Sequence, residues 1–356
     1  MRRDLAVGGL SALLFEVPSA SMAAQVAIAD PYTDRYLRVC EVMGSGYFYI
    51  PQSDICLRVT GSVEYDVAAG PDVYTGKPSK TWKQTAKAAL QLDTKAETEL
   101  GILSTYFGIE GSFADGADDG IAFSGATIEL SGWEVGATDS QFDTWLGSAG
   151  NVLDDDVVPY AGGMTNQVNY TAFLGSGLSV LIGAEQGTKD ESGDQGEESE
   201  KLQADDHLID SYVPHLVGGV KLGKDWGAIA TVLGYDSVAK EFAAKVRLDV
   251  QLNDSVSAFL MGGYQSDHEK PNYFGAWDGT YAAWSGISAS LSPKATFNSQ
   301  IALADSGTYA LAINVDYEAV PGFIITPELD YVSFGAVSQS DFDDALGGVV
   351  SIKREF

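Results

Sequence analysis

The chain has 356 residues, 40 glycines, three histidines, two cysteines and a net charge of −29. Such acidity argues against a nucleic-acid partner, which needs a basic footprint. Mean hydropathy is near zero and no internal run of about 18 apolar residues occurs, which excludes a helical membrane span but not one built of strands, whose alternation averages to neutral.

Residues 1–24 read as a signal peptide: Arg2 and Arg3, an apolar run over Leu5–Phe15, then a small-residue stretch with Ser21-Met22-Ala23 as cleavage motif. Asp4 and Glu16 depart from that pattern, and a short cytosolic helix is the alternative. Residues 25–55 form an N-terminal segment that holds Cys40, and residues 56–356 form the main body, beginning at Cys56. In an exported chain two cysteines most simply make one disulfide. Closing a loop of about 15 residues stabilises by ~3 kcal/mol in the chain-entropy model. Two free buried thiols are the alternative. From Leu57 an alternation begins. Leu57, Val59, Val63, Tyr65 and Val67 share one face, and Arg58, Thr60, Ser62, Glu64 and Asp66 the other.

The run Val39-Cys40, Gly44-Ser45-Gly46-Tyr47-Phe48-Tyr49-Ile50-Pro51 and Asp54-Ile55-Cys56-Leu57-Arg58 resembles the N-terminal signature of the alphaproteobacterial outer-membrane porins. Leu92–Lys95 with Thr98–Gly101 resembles that family's second hairpin. Val135–Phe142 resembles the entry to its third loop, and Ser351–Phe356 its closing strand. The resemblance spans nearly the whole mature chain and is weakest across 185–285. It implies an all-β, antiparallel up-and-down transmembrane barrel of about sixteen strands, assembled as a trimer in a Gram-negative outer membrane. It also implies a third loop folded inward to narrow the barrel. The terminal aromatic, Phe356, would help mark the chain for the insertion machinery.

The residues continue in the same rhythm. Ala86–Asp93 alternates, 95–98 turns, and Leu100–Glu110 forms a third strand before a polar loop at Asp115–Gly120. Ala126, Ile128 and Leu130 end a fourth strand at Ser131-Gly132, and Trp133–Ala137 rises as a fifth. Residues 139–163 show no alternation and carry Asp139, Asp143, Asp154, Asp155 and Asp156. A segment of that length between strands is usually functional or mobile. Read alone, it fits an outward loop as well as an inward one. The Asp154–Asp156 triplet is acidic enough to hold a Ca²⁺ but lacks the spaced ligands and glycine of an EF-hand, so no metal is assigned. Gln167–Glu185 is a hairpin about Gly175-Ser176-Gly177. The acidic run 186–210, with Glu197-Glu198 and Asp205-Asp206, reads as a solvated extracellular loop.

The clearest strand is Glu241–Asn253. Phe242, Ala244, Val246, Leu248, Val250 and Leu252 alternate with Ala243, Lys245, Arg247, Asp249 and Gln251. A soluble sandwich would bury the apolar face, whereas a membrane barrel would give it to lipid and the polar face to a wet lumen. Two features favour lipid. Aromatics lie just past short turns, at Trp133, Trp226 and Phe323, where an interfacial girdle belongs. Short turns near 95–98, 131–132, 175–177, 223–225, 253–254, 292–294 and 319–322 also alternate with long connections near 139–163, 186–210, 266–279 and 335–344.

By strand phase the basic wall positions are Arg58, Lys87, Lys221, Lys245 and Arg247, with the third-loop acids facing them. Bases are few, so a mild cation preference is expected. His207, His215 and His268 lack metal spacing, no phosphate loop or GxSxG elbow occurs, and no cofactor is expected. An outer-membrane hydrolase with a dispersed triad, or a secreted β-rich adhesin, are the alternatives. The expected partners are outer-membrane lipid, the insertion machinery, two further copies of the chain, and small hydrophilic solutes and ions.

Overall fold

The computed structural model describes residues 38–160, 163–188, 207–335 and 342–356. The leader over 1–24 and the Glu197-Glu198 and Asp205-Asp206 pairs lie outside them. The strands are β1 (Phe48–Tyr49), β2 (Cys56–Ala69), β3 (Lys83–Thr98), β4 (Gly101–Ala114), β5 (Ala117–Leu130), β6 (Trp133–Asp139), β7 (Met164–Gly175), β8 (Leu178–Glu185) and β9 (His215–Lys224). They continue as β10 (Gly227–Asp236), β11 (Glu241–Asn253), β12 (Val256–Gln265), β13 (Tyr281–Ser292), β14 (Ala295–Ala304), β15 (Tyr309–Val320), β16 (Phe323–Ser333) and β17 (Asp344–Glu355).

All seventeen belong to one sheet. Each strand from β2 onward pairs antiparallel with the next, and β17 returns to β2 from Gly348↔Ala69 to Glu355↔Ser62. Sixteen strands therefore close an up-and-down barrel, which leaves no free sheet edge in lipid. A barrel of that size leaves an aqueous channel rather than a filled core.

The phase follows the expected alternation. Val246 and Leu248 are exposed outside, while Lys245 and Arg247 point in and donate hydrogen bonds to loop carbonyls within the lumen. Apolar side chains outside and polar ones inside fit lipid on one side and water on the other. Outward aromatics ring the end with the long connections. Tyr235 packs on Phe242 at 4.9 Å, Tyr264 on Tyr281 at 5.4 Å and Tyr309 on Tyr331 at 5.9 Å. At the other end Trp133 packs on Tyr170 at 4.9 Å, and Trp226 is exposed.

Tight turns join the strands at that second end. Ser131 and Gly132 have φ of 53° and 86°, the pair of positive angles whose twist matches a two-residue hairpin. The turn expected at 95–98 falls at 99–100, because β3 runs on to Thr98, and Trp226 lies in a turn rather than opening a strand. The polar loop expected over Asp115–Gly120 is a correction. Only Asp115-Gly116 turns, and Asp118 and Gly120 are already paired with Phe113 and Ser112. Composition marked this stretch as wet, but a wet hairpin satisfies its backbone by pairing as well as a loop does by hydration. The connection at 70–82, between β2 and β3, was not anticipated.

Cys40 and Cys56 form a disulfide, with Cα atoms 6.1 Å apart. It holds the preceding segment against the seam. β17 covers the edge of β2 only as far as Ser62, and Phe356 exchanges two 3.0 Å backbone bonds with Gly61. Farther down the strand, β1 takes over, pairing Phe48 with Leu57 and Tyr49 with Cys56.

Candidate pore constriction

The connection between β6 and β7 turns into the lumen. It opens with α1 (Gln141–Thr144), a single turn capped by Ser140, whose hydroxyl accepts from Phe142 N–H and donates to the Glu185 carboxylate at 2.7 Å. Gln141 N–H donates to the same carboxylate at 2.9 Å. One side of the loop is apolar. Phe142, Leu146, Ala149, Val158 and Tyr160 pack into a cluster with Ala230, Ala243, Met261, Trp284 and Ala302 of the inner wall. The small wall side chains make room. A Cβ on Gly219 would come within 2.5 Å of the Trp145 ring.

A buried loop must also satisfy its peptide groups. Four successive strands supply the partners. Trp284 Nε1 on β13 donates to Val158 O at 2.9 Å. Gln300 Nε2 on β14 donates to Ala149 O and Asp155 O at 2.6 and 2.7 Å. Asn314 Nδ2 on β15 donates to Asn151 O at 2.9 Å. Glu328 on β16 accepts from Leu153 N–H and Asp154 N–H, its shorter contacts being 2.7 and 2.8 Å. Lys245 Nζ donates to Tyr160 O. The loop is thus fixed along its length to one side of the barrel.

The five candidate acids separate. Asp156 is exposed, Asp154 and Asp155 are half-buried, and all three lie on the loop. Tyr74, from the 70–82 connection, donates to Asp154 and Asp156 at 3.1 and 2.8 Å. Tyr160 donates to Asp155 at 2.6 Å. Burial pushes the Asp154 carboxyl up to about 6, and nearby Glu328 and Asp156 act in the same direction. Asp143 on α1 sits 3.8 Å from Lys245. Burial raises it to about 6, Lys245 opposing and Asp139, Asp155 and Asp156 adding to the rise. Asp139 stands apart. It ends β6 in register with Met164, two and four residues along from the outward Ala137 and Val135.

The five candidate bases are all engaged. Arg58 pairs with Asp93 at 3.1 Å. Lys87 pairs with Glu64 and Asp66 at 3.2 and 2.8 Å. Arg247 pairs with Asp249 at 2.9 Å and also reaches Ser148 O. Lys221 lies 5.1 Å over the Trp145 ring. Lys245 is on the inner wall but only 2 % exposed. It sits beneath the loop, over the Phe142 ring at 4.6 Å, so it clamps the loop rather than facing open water.

Sequence reasoning missed the acids of the wall beneath the loop. Glu185, Glu328 and Asp330 are buried, as is the pair His215–Asp236 at 3.3 Å. The alternation Thr326, Glu328, Asp330 against Leu329 and Tyr331 was the available signal.

Comparison with known proteins agrees with this architecture. Residues 25–351 match the model of the Porin subfamily. Porin Omp2b of Brucella canis is 39% identical over 368 residues, covering 99% of both chains, and porin Omp2b of Brucella melitensis is as similar over the same span. Among solved structures, the outer-membrane channel DcaP of Acinetobacter baumannii superposes with a TM-score of 0.63 at 18% identity, over 86% of this chain and 99% of that one. An anion-selective porin from Comamonas acidovorans superposes with a TM-score of 0.56 at 16% identity, over 85% and 100%.

Proposed function

The chain belongs to the Porin subfamily, an outer-membrane channel of a Gram-negative bacterium and not an enzyme, and from that premise we propose that it passes small hydrophilic solutes and ions with a mild preference for cations. One observation carries the preference. Every candidate base is paired with an acid, stacked on an aromatic ring or covered. Among the described residues, the loop acids Asp154, Asp155 and Asp156 meet only tyrosine hydroxyls as side-chain donors. Unneutralised carboxylates in a narrow water passage between low-dielectric walls attract counter-ions and repel co-ions. On this reading the loop is the constriction and its acidic tip the filter, with Arg58, Lys87 and Arg247 as neutralised wall positions. The Comamonas porin is anion-selective, but at 16% identity the likeness is one of fold alone and its selectivity does not transfer.

The test is the reversal potential of the reconstituted protein across a KCl gradient. Wild type should prefer K⁺, most clearly at low salt, where screening is least. Replacing Asp154, Asp155 and Asp156 with Asn should move the potential toward neutrality with the pore still open. An anion preference in the wild type, or a triple variant identical to it, would falsify the assignment.

Assembly belongs to the same proposal. The chain is read as a homotrimer, and Phe356 as part of the insertion signal. Its backbone bonds to Gly61 at the seam are consistent with a role in closure. Deleting Phe356 should reduce the folded, heat-modifiable species on gels.

A further inference from the structure

We infer that Asp154, Glu328 and Asp330 form a divalent-cation site, selective for Ca²⁺, that ties the inward loop to the barrel wall. Carboxylate oxygens of the three residues all lie within 4.8 Å of one another. Opposite oxygens on a Ca²⁺ ion, each at about 2.4 Å, are separated by about 4.8 Å. The spacing of the three is therefore compatible with one coordination shell. Mg²⁺ demands a tighter octahedron at about 2.0–2.1 Å and sheds its water reluctantly, so a site offering only these side chains favours the larger ion.

An acidic cluster alone would mean little. The second observation is the state of Asp330. It is only 2 % exposed, and neither of its carboxylate oxygens finds a hydrogen-bond partner. Its companions are differently placed. Glu328 accepts from Leu153 N–H, Asp154 N–H and Asn314 Nδ2, and Asp154 accepts from Tyr74. A buried carboxylate that faces two others and receives no donor is costly unless a cation or a proton compensates it.

The neighbouring cations do not fill that role. Lys83 borders the adjoining cavity, of about 150 Å³, together with Asp72, Tyr74, Asp154 and Asp330, but it is paired with Asp72. Lys87 is paired with Glu64 and Asp66. The cavity gives water a place from which to complete the shell. Hard oxygen ligands, three negative charges and adjacent water are what a calcium site requires. Because Asp154 comes from the loop and the other two from β16, one ion would bridge them.

This site shares Asp154 with the selectivity filter proposed above, but the two ideas fail separately, since one is read by metal binding and the other by reversal potential. The experiment uses the full-length refolded protein in detergent, stripped with EDTA and titrated with Tb³⁺. Tyrosine-sensitised emission should rise saturably, fall when Ca²⁺ is added and fall much less with Mg²⁺. In Asp330→Asn the Ca²⁺-displaceable emission should drop at least tenfold. Asp119→Asn, an exposed acid elsewhere on the barrel, should leave it unchanged. Should Asp330→Asn lose the heat-modifiable band, Asp154→Asn on the loop decides the matter with the same readout. Emission absent in wild type, not displaced by Ca²⁺, or equally strong in the folded Asp330→Asn or Asp154→Asn protein would overturn the inference and leave a shared proton as what holds the three carboxyls together.

Discussion

Two parts of the barrel wall obey different rules on their inner faces. Along β2 and β3 the lumen meets charged and polar side chains, with Arg58 on Asp93, Lys87 on Glu64 and Asp66, and Thr60 on Gln91. From β10 to β15 the same face carries Ala230, Val232, Ala243, Met261, Trp284, Ala302, Ala310 and Ala312, all buried. The difference is what touches them. The folded-in loop leaves the first part open to the lumen and lies against much of the second. A barrel interior is polar only where it is wet, and a covered stretch is built as a core, with small side chains opposite large ones. The outer faces show no such division: Val63 and Tyr65 on one part and Val246 and Leu248 on the other are all exposed.

The sharpest way to break this comparison is to open a hole under the loop. Trp284→Ala removes a fully buried ring and its bond to Val158 O. It should cost about 3–5 kcal/mol and free the loop, read as a lower gel-shift temperature and noisier single channels. Gln91→Ala on the open wall should change stability by no more than about 0.5 kcal/mol. Equal effects would mean that the loop is not docked as described.

The next test asks whether the outside is uniform. Val246→Arg and Val63→Arg place a charge on the lipid face of the two parts. Each should cost about 2–4 kcal/mol near the midplane, as measured by urea titration in lipid vesicles. A large difference between them would show that one of these faces is covered by protein rather than lipid.

A smaller effect separates two lysines. Lys245→Gln removes a buried donor to Tyr160 O and a partner of Asp143. It should weaken loop docking by about 1–3 kcal/mol. Lys87→Gln frees Asp66 and leaves Glu64 only Lys353, at 3.8 Å, so it should leave stability nearly unchanged and move the reversal potential further toward cations.

The smallest effect is with pH. The Asp143 carboxyl is raised from 3.8 to about 6. Between those values the folded chain holds a proton that the unfolded chain has released, so this group makes loop docking weaker as pH rises through that window. Falling pH should therefore tighten the loop while removing one negative charge from it. Noise and cation preference should both decline from pH 7 to pH 5. Lys245→Gln removes the opposing positive charge and should move the midpoint upward.

Much of this was legible because strand phase is a strict period of two. Val246 facing out and Lys245 facing in followed from alternation alone, and the turns expected near 131–132, 253–254, 292–294 and 319–322 fall at 131–132, 254–255, 293–294 and 321–322. The covered wall was not legible. Ala243, Ala282 and Ala302 suit a wet face as well as a packed one, and only the position of the loop decides between them. Lys245 reads as a pore charge for the same reason, since phase specifies the side of the wall but not what lies over it. Asp139 was grouped with the loop acids because the chain loses its alternation there, yet β6 keeps its pairing through that residue. Glu328 and Asp330 were passed over as two acids in an ordinary alternation, and their convergence on Asp154 depends on contacts across more than 170 residues of chain.

The shared edge of β2 makes the two ends of the chain interdependent. β17 and Phe356 cover one length of that edge, and β1, held by Cys40–Cys56, covers the next. A closing strand drawn from both termini cannot be finished while either is still in the cell's export channel. Covering that edge therefore needs both segments on β2, and the C-terminal strand alone leaves its first residues unpaired on that side.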